Sequence, residues 1–353
     1  MSAYEKPSSK ISPQTWASSG ATYDTIIDVR TSEEFLDDHL PGAINLPVLD
    51  EAERHHVGYT YKQESPFPAK RMGAALILRH IADMLEREFA DKPKEWRPLV
   101  YCWRGGKRSG TLTHLMNEVG WKAQQLEGGY KAFRTMVLED LTHAPQLNFR
   151  VVAGPTGSGK TRLLKALTEV GAQVLDLEAL ANHRGSLLGD VGVQPTQKWF
   201  ETQVWAALRG FDPARPVLVE SESKKIGNVA IPEALMTAMR ASPCVRVDTN
   251  DAIRVRLLDE EYRDLLLDTP RFESRVKHLV ELRGHDTIAR WIAYSKAGEF
   301  DALTLELLHQ HYDPAYMRSI YINFPDYKTA PHVTIESASF DSFMNAAKTL
   351  CAN

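Results

Sequence analysis

Cysteine is scarce: the 353-residue sequence holds three, Cys102, Cys244 and Cys351. An odd number so widely spaced excludes a disulfide framework and any zinc pattern read from cysteine spacing, so a role for a cysteine must be individual. Long apolar runs are also missing. No stretch approaches the roughly 20 apolar residues that cross a bilayer. The opening MSAYEKPSSKISPQTW has no apolar core of the signal-peptide kind, so a cytoplasmic protein with no membrane partner is expected. Nor is there an excess of one charge: 42 Lys and Arg against 46 Asp and Glu leave a net −4, and any nucleic-acid partner must be held by a local patch. Internal repeats and low-complexity tracts are absent too.

At this length two or three domains are expected, and 43% hydrophobic with 25% charged residues indicates a chain that mostly folds. The expected fold class is α/β. TIIDVR (25–30), GAINLP (42–47) and PLVYC (98–102) read as strands alternating with helices such as 71–89, which Asp91 and Pro93 end, a parallel-sheet pattern. LEDLTHAPQLN (138–148) reads as a linker, broken at Pro145. Beyond it FRVVAG, QVLDLE (173–178), PVLVES (216–221) and CVRVDT (244–249) read as strands of a second α/β unit, and from Asp251 onward the pattern is mostly helical. The expected domains are 1–144, 145–250 and 251–353.

Cys102 ends an apolar strand and opens CWRGGKRSG, with a helix expected from Ser109. A thiol at a strand end, with Gly105 and Gly106 in the turn and a helix N-terminus behind, faces amide groups and a positive dipole. Both favour a thiolate and any anion attached to it. Arg104, Lys107 and Arg108 add fixed positive charge, so Arg104 to Ser109 form a candidate anion loop with Cys102 as its nucleophile or carrier. Cys244, inside a strand, is expected in the core, and Cys351 near the terminus is expected to be inert.

Gly154 to Thr161, GPTGSGKT, fits G-x-x-x-x-G-K-[ST] in full, between a strand and an apolar-periodic helix. Gly154, Thr156, Gly157, Ser158 and Gly159 shape a loop whose amides point at phosphate. Lys160 reaches the outer phosphates and Thr161 can hold Mg²⁺. Glu220 and Glu222 of VLVESES stand where a Walker-B carboxylate belongs, with Glu220 the expected second metal ligand, although aspartate is usual there. HRGS (183–186) and QPTQKWFE (194–201) are expected in loops near the P-loop, with Arg184 favoured over Gln194 as a ligand-binding residue.

IIDVRTSEEFLDDHLPGAINLP and LEGGYKAFR (126–134) resemble the early and closing motifs of rhodanese-like domains, with Cys102 at their active-site position. Six residues from cysteine to arginine are typical of rhodanese loops, whereas Cys102 to Arg108 spans seven, as in phosphatase-like members of that fold. A Cys-X5-Arg phosphatase is therefore one alternative reading. A P-loop kinase or ATPase fused to a sulfurtransferase is another, and a pair of anion sensors a third.

A rhodanese-like domain followed by a P-loop domain with DLEALANHRGSLLG, QPTQKWFE, VLVESESKKIG and HYDPAYMRS is similar to the tRNA 2-selenouridine synthases over essentially the whole chain. That resemblance implies a tRNA-modifying transferase acting on wobble 2-thiouridine in the anticodon region. It further implies selenophosphate and geranyl diphosphate as co-substrates, an S-geranyl intermediate, and a selenophosphate-producing enzyme as supplier. No tightly bound cofactor is implied beyond Mg²⁺ at the P-loop. Cys102 would then carry selenium, with Arg108 and Lys160 completing the catalytic set. Arg254, Arg256, Arg263, Arg271, Arg275, Lys277, Arg283 and Arg290 are candidates for tRNA phosphates, yet interleaved acidic residues make solvated helix faces the default for most. Trp291 and Tyr294 have the spacing of core residues more than of a base-stacking pair.

Overall fold

The computed structural model describes residues 9–19, 22–143, 145–185 and 192–352, so Ser186 to Gly189 of the DLEALANHRGSLLG motif lie outside the described residues. The chain divides into two compact units, Met1–Thr142 with Pro195–Ala206, and His143–Gln194 with Ala207–Asn353. Both are α/β with parallel sheets, and the C-terminal region is largely helical.

In the first unit β1 (Lys10–Ile11), β2 (Thr25–Asp28), β3 (Ala43–Asn45), β4 (Pro98–Tyr101) and β5 (Gln124–Leu126) form one sheet in the order β1-β5-β4-β2-β3. Every pair in it is parallel. Alternation along β4 splits its side chains between two cores. Leu99 and Tyr101 pack with Leu126, Tyr130 and Phe133, while Val100 and Cys102 pack with Ile27, Leu112 and Met116. Cys102 is thereby turned toward the helix Lys107–Val119, which begins two residues before Ser109, where the sequence places its start.

Two sequence boundaries are corrected. The helix expected over 71–89 runs from Pro66 to Arg87, because Ser65 caps it and Pro66 suits its first turn. The segment read as a linker from 138 is helical to Thr142, since the helix Gly129–Thr142 buries Phe133, Met136 and Val137 against the sheet. Pro195–Ala206 also belongs here: within the helix Gln197–Gly210, Trp205 lies 5.5 Å from the ring of Phe133 and 6.4 Å from Trp16. Trp199 stacks on His39 at 3.9 Å, and Arg134 pairs with Glu201.

The second unit holds β6 (Asn148–Ala153), β7 (Gln173–Leu175), β8 (Pro216–Glu220), the hairpin β9 (Lys225–Ile226) and β10 (Val229–Ala230), β11 (Cys244–Thr249) and β12 (His332–Ile335). Its five-stranded sheet is ordered β12-β11-β6-β8-β7, all parallel. β11 is therefore not the last strand, because β12 returns from the helical region to pair beside it. The strand read as QVLDLE stops at Leu175, since Asp176 caps the short helix Leu177–Ala181 by accepting from the Ala179 amide.

The C-terminal helix Phe340–Ala352 lays Phe343, Ala346 and Ala347 against Leu163, Leu164 and Leu167 of the helix after the P-loop. Burial of Phe343 alone contributes about 1.5–3 kcal/mol. Cys351 is exposed in the last turn of that helix, and Cys244 is buried as expected. The region between β11 and β12 packs around Phe272 and Trp291, both fully buried, so Trp291 is core.

Candidate active sites

The Cys102 loop owes its shape to its neighbours. Gly129 has φ +59°, and a Cβ there would lie 2.2 Å from the Cys102 carbonyl oxygen and 2.4 Å from the Gly105 nitrogen, so only glycine fits. The residues after it hold the loop: the Tyr130 amide donates to Cys102 O and the Lys131 amide to Trp103 O, each at 2.9 Å. Gln125 Nε2 donates to Gly105 O at 2.9 Å and Gly106 O at 3.2 Å. Four loop carbonyls thus face the scaffold, and peptide planarity aims the amides of the same peptide units the opposite way. The helix behind has Gly106 as its N-cap and so no side-chain cap, leaving its first turn suited to an anion.

Ser109 Oγ donates to Cys102 Sγ at 3.1 Å and itself receives Gln125 Nε2 at 2.8 Å. That relay fixes the Ser109 hydroxyl against the sulfur. Arg104 and Lys107 are exposed. Arg108 instead pairs with Glu34 at 3.2 Å. Burial pushes the Glu34 carboxyl up, but Arg108, the Thr31 amide and Arg30 outweigh it and hold it below its usual range. Arg30, 1% exposed, forks onto Asp28 and lies 4.0 Å from the Tyr130 ring, tying the early motif to the closing one.

The second site stands at the end of β6, where 154–159 lead into the helix Lys160–Glu169. Gly157 has φ +77°, and a Cβ there would lie 2.8 Å from Leu258. Lys160 Nζ donates to Gly154 O at 2.8 Å and sits 5.7 Å from the Tyr316 ring centre. Thr161 Oγ1 donates to Glu178 Oε2 at 3.0 Å, and the Glu178 amide donates to Glu220 Oε1 at 2.8 Å.

Oxygens of Glu178, Glu220 and Glu222 lie within 4.8 Å of one another. Burial, then the charge of Glu222, pushes Glu178 up to about 8, with Lys160 pulling the other way. Burial and its two carboxylate neighbours push Glu220 well up, and burial raises Glu222 against the pull of Lys160. Among the described residues Glu220 Oε2 is buried without a hydrogen-bond partner. Crowded carboxylate oxygens beside a threonine hydroxyl, one of them orphaned, suit a hard divalent cation such as Mg²⁺. Glu178 went unrecognised in the sequence because the motif read as strand; only the cap at Asp176 turns it inward.

Arg254 is not a surface cation. It is 4% exposed and donates twice to Thr156 O, at 3.0 and 2.8 Å, while Asp251 and Asp313 hold its other face. Asp313 and Tyr316 come from HYDPAYMRS, which places that motif beside the P-loop. Other candidate arginines are paired: Arg256 with Glu260, Arg290 with Glu306, and Arg283 with His311. Arg184 lies 5.2 Å from the Tyr262 ring and 3.7 Å from Glu261, and lines the P-loop cavity. Gln194 is structural, bonding Ala181 O, Ile226 O and the Asn228 amide. Thr196 caps the helix that begins at Gln197.

The cavity over the P-loop holds about 360 Å³. Its lining mixes charged groups, Lys160, Arg184, Glu178, Glu222 and Glu261, with the apolar side chains of Leu257, Leu258, Ile320 and Phe324. Such a site accepts a polyanion joined to an apolar group.

Known proteins resemble both units. A rhodanese-like domain model matches residues 14–136, and a model described as the tRNA 2-selenouridine synthase AAA domain matches 147–277. A tRNA 2-selenouridine synthase of Nitrosomonas europaea is 36% identical over 251 residues, 69% of this chain and 64% of that protein, so the match spans just under two thirds of that relative's length. One of Shewanella denitrificans is 33% identical over 327 residues, 82% of this chain and 87% of that protein. Aligned over most of both lengths and through both units, the chain belongs to the tRNA 2-selenouridine synthase family.

Proposed function

We propose that this protein converts 2-thiouridine at the wobble position of tRNA to 2-selenouridine, using geranyl diphosphate and then selenophosphate. The names of its relatives support selenouridine formation on tRNA. The observation that supports the two-step reading is the mixed lining of the P-loop cavity, where Lys160, Thr161 and Arg184 share one space with Leu258, Ile320 and Phe324 and with the carboxylates of Glu178, Glu222 and Glu261.

In the first step the thiouridine sulfur attacks C1 of geranyl diphosphate. The C–S bond forms as the C–O bond breaks, pyrophosphate leaves with the electron pair, and the base gives up its N3 proton to solvent. Lys160 and the amides of Gly157 to Lys160 stabilise the charge that grows on the leaving group. Thr161, Glu178, Glu220 and Glu222 would hold Mg²⁺, which when bound adds positive charge to the same group.

In the second step selenophosphate occupies the Cys102 loop. The Cys102 thiolate attacks phosphorus, the P–Se bond breaks, and selenium leaves as selenide; water then hydrolyses the S–P bond. Selenide displaces geranyl thiolate from C2 of the base. Selenium stays at the selenide level throughout, whereas a perselenide on Cys102 would need an added oxidant. Ser109, hydrogen-bonded to Cys102 Sγ, stabilises the attacking thiolate.

Nucleoside mass spectrometry of thiolated tRNA incubated with the protein, omitting each co-substrate in turn, tests this reading. Geranylated nucleoside should accumulate without selenophosphate. Selenouridine formed equally well without geranyl diphosphate would overturn it.

A further inference from the structure

Between β3 and β4 the first unit carries a helical hairpin, Glu51–Gln63 followed by Pro66–Arg87. A Cβ at Gly73 would lie 3.2 Å from Val57 Cγ1, so the two helices run side by side and the residues flanking Ser65 meet at one end. From Arg54 to Arg71 the sequence has four Lys or Arg against Glu64 alone, a local charge of +3 in a chain of net −4. Arg54, Lys62, Lys70 and Arg71 are all exposed, and among the described residues no carboxylate pairs with any of them. Arg256 and Arg290 of the helical region, by contrast, are held by Glu260 and Glu306.

Aromatic rings are interleaved with these cations. Residues three and four apart share a row on a helix, so Arg54, Gly58 and Tyr61 form one row and His55, Tyr59 and Lys62 the next. Arg54 lies along the first row, its Nη1 3.2 Å from where a Gly58 Cβ would stand. Across the turn Phe67 and Arg71 share a row of the second helix. Tyr59 is 55% exposed, Tyr61 51% and Phe67 74%. The base of the hairpin stands beside Cys102. β2, β3 and β4 are parallel, so the segments leaving β3 and β4 emerge at one edge of the sheet. There Glu51 Oε1 accepts the Glu33 amide at 2.8 Å, and the adjacent Glu34 pairs with Arg108 of the Cys102 loop.

We infer that the end of this hairpin docks tRNA, with Arg54, Lys62, Lys70 and Arg71 on phosphates and Tyr59, Tyr61 and Phe67 under unpaired bases of the anticodon loop. The inference rests on the tRNA reading above and deepens it by naming the surface that holds the substrate. Unpaired cations neutralise phosphates, and exposed rings between them stack on bases that a loop leaves unstacked. Two tyrosines set among cations, in place of one continuous apolar face, favour RNA over a lipid surface.

The test measures binding of labelled tRNA, of its anticodon stem-loop and of a blunt RNA duplex by fluorescence anisotropy over a range of KCl. Replacing Arg54, Lys62, Lys70 and Arg71 together by Gln should weaken tRNA binding about 10- to 100-fold and lower the salt slope by about 3. Phe67→Ala and Tyr59→Ala should each weaken the stem-loop about tenfold and leave the duplex unchanged. Arg256→Gln should alter neither affinity nor slope. Pyrophosphate binding at the P-loop should stay at the wild-type value in every hairpin variant, and circular dichroism checks that each one folds.

Folded hairpin variants that keep wild-type tRNA affinity and salt slope would overturn the docking surface while leaving the chemistry at both sites standing. Retained tRNA affinity with lost binding to phosphatidylglycerol vesicles would overturn RNA as the occupant. Hairpin-dependent tRNA binding by a protein that forms neither geranylated nucleoside nor selenouridine would support the surface and sink the reaction reading instead.

Discussion

Arg254 gives the sharpest test of how the helical region supports the phosphate loop. Its guanidinium spends two hydrogen bonds on one acceptor, Thr156 O, and is held from behind by Asp251 at 3.0 Å and Asp313 at 2.5 Å. Breaking a buried ion pair costs about 3–5 kcal/mol. The partners are partly wet, Asp251 at 46% and Asp313 at 25% exposure, so the lower end of that range is the appropriate figure. For a unit of this size about 3 kcal/mol corresponds to a fall of about 10 °C in Tm. Arg254→Met should show that fall by differential scanning calorimetry and weaken pyrophosphate binding at the P-loop, because Thr156 loses its anchor. Arg254→Lys keeps the charge but not the fork, and should recover only part of the loss. A folded Arg254→Met protein whose Tm and pyrophosphate affinity both match wild type would refute the reasoning.

The three-carboxylate cluster predicts pH-dependent stability. Folding raises the Glu178 carboxyl from its ordinary value to about 8, so the folded state binds the extra proton. The stability this confers is complete below the unfolded value and is lost as pH rises through about 8. Without divalent cation Tm should therefore drop from pH 6 toward pH 8.5, Mg²⁺ should offset the drop most at the alkaline end, and Glu178→Gln should flatten the profile. A wild-type Tm that rises over that range without Mg²⁺ would contradict the assignment. For the chemistry, Cys102→Ala should abolish selenation while leaving geranylation, and Lys160→Ala should slow geranylation by about 10²–10³-fold. Nucleoside mass spectrometry separates the two, and selenouridine made at the normal rate by Cys102→Ala would remove the thiol from the mechanism.

Much of the fold was legible because it rests on short-range signals. β4 is a continuous apolar run and β6 ends in one, Val151 to Ala153; each leads into chemistry, one into Cys102 and the other into the P-loop, where periodicity and motif agree. What escaped was long-range. β12 is four residues long and follows some eighty residues of mostly helical pattern, so nothing local announces that it pairs with β11. Glu178 was hidden because β-like composition continues past Leu175 and only the Asp176 cap reverses the chain. Arg254 looked like one of many surface arginines, since sequence cannot show that a carbonyl 98 residues earlier waits for it. The Cys102 loop was visible, whereas the partnership of Gln125, Ser109 and Gly129 that shapes it depends on strands meeting from separate parts of the chain.

The assignment of Pro195–Ala206 to the first unit has a topological meaning. The chain leaves that unit near residue 142, returns to it at 195 and leaves again at 206, so no single cut separates the two units cleanly. A fragment ending at residue 142 would keep β1 to β5 and Cys102 but lose Trp199, Glu201 and Trp205. Trp16, His39, Phe133 and Arg134 would then face water without the aromatic rings and carboxylate that cover them in the intact chain. The first unit is thus completed by residues that lie beyond the P-loop in sequence, and its fold is finished only after that much of the second unit has been synthesised.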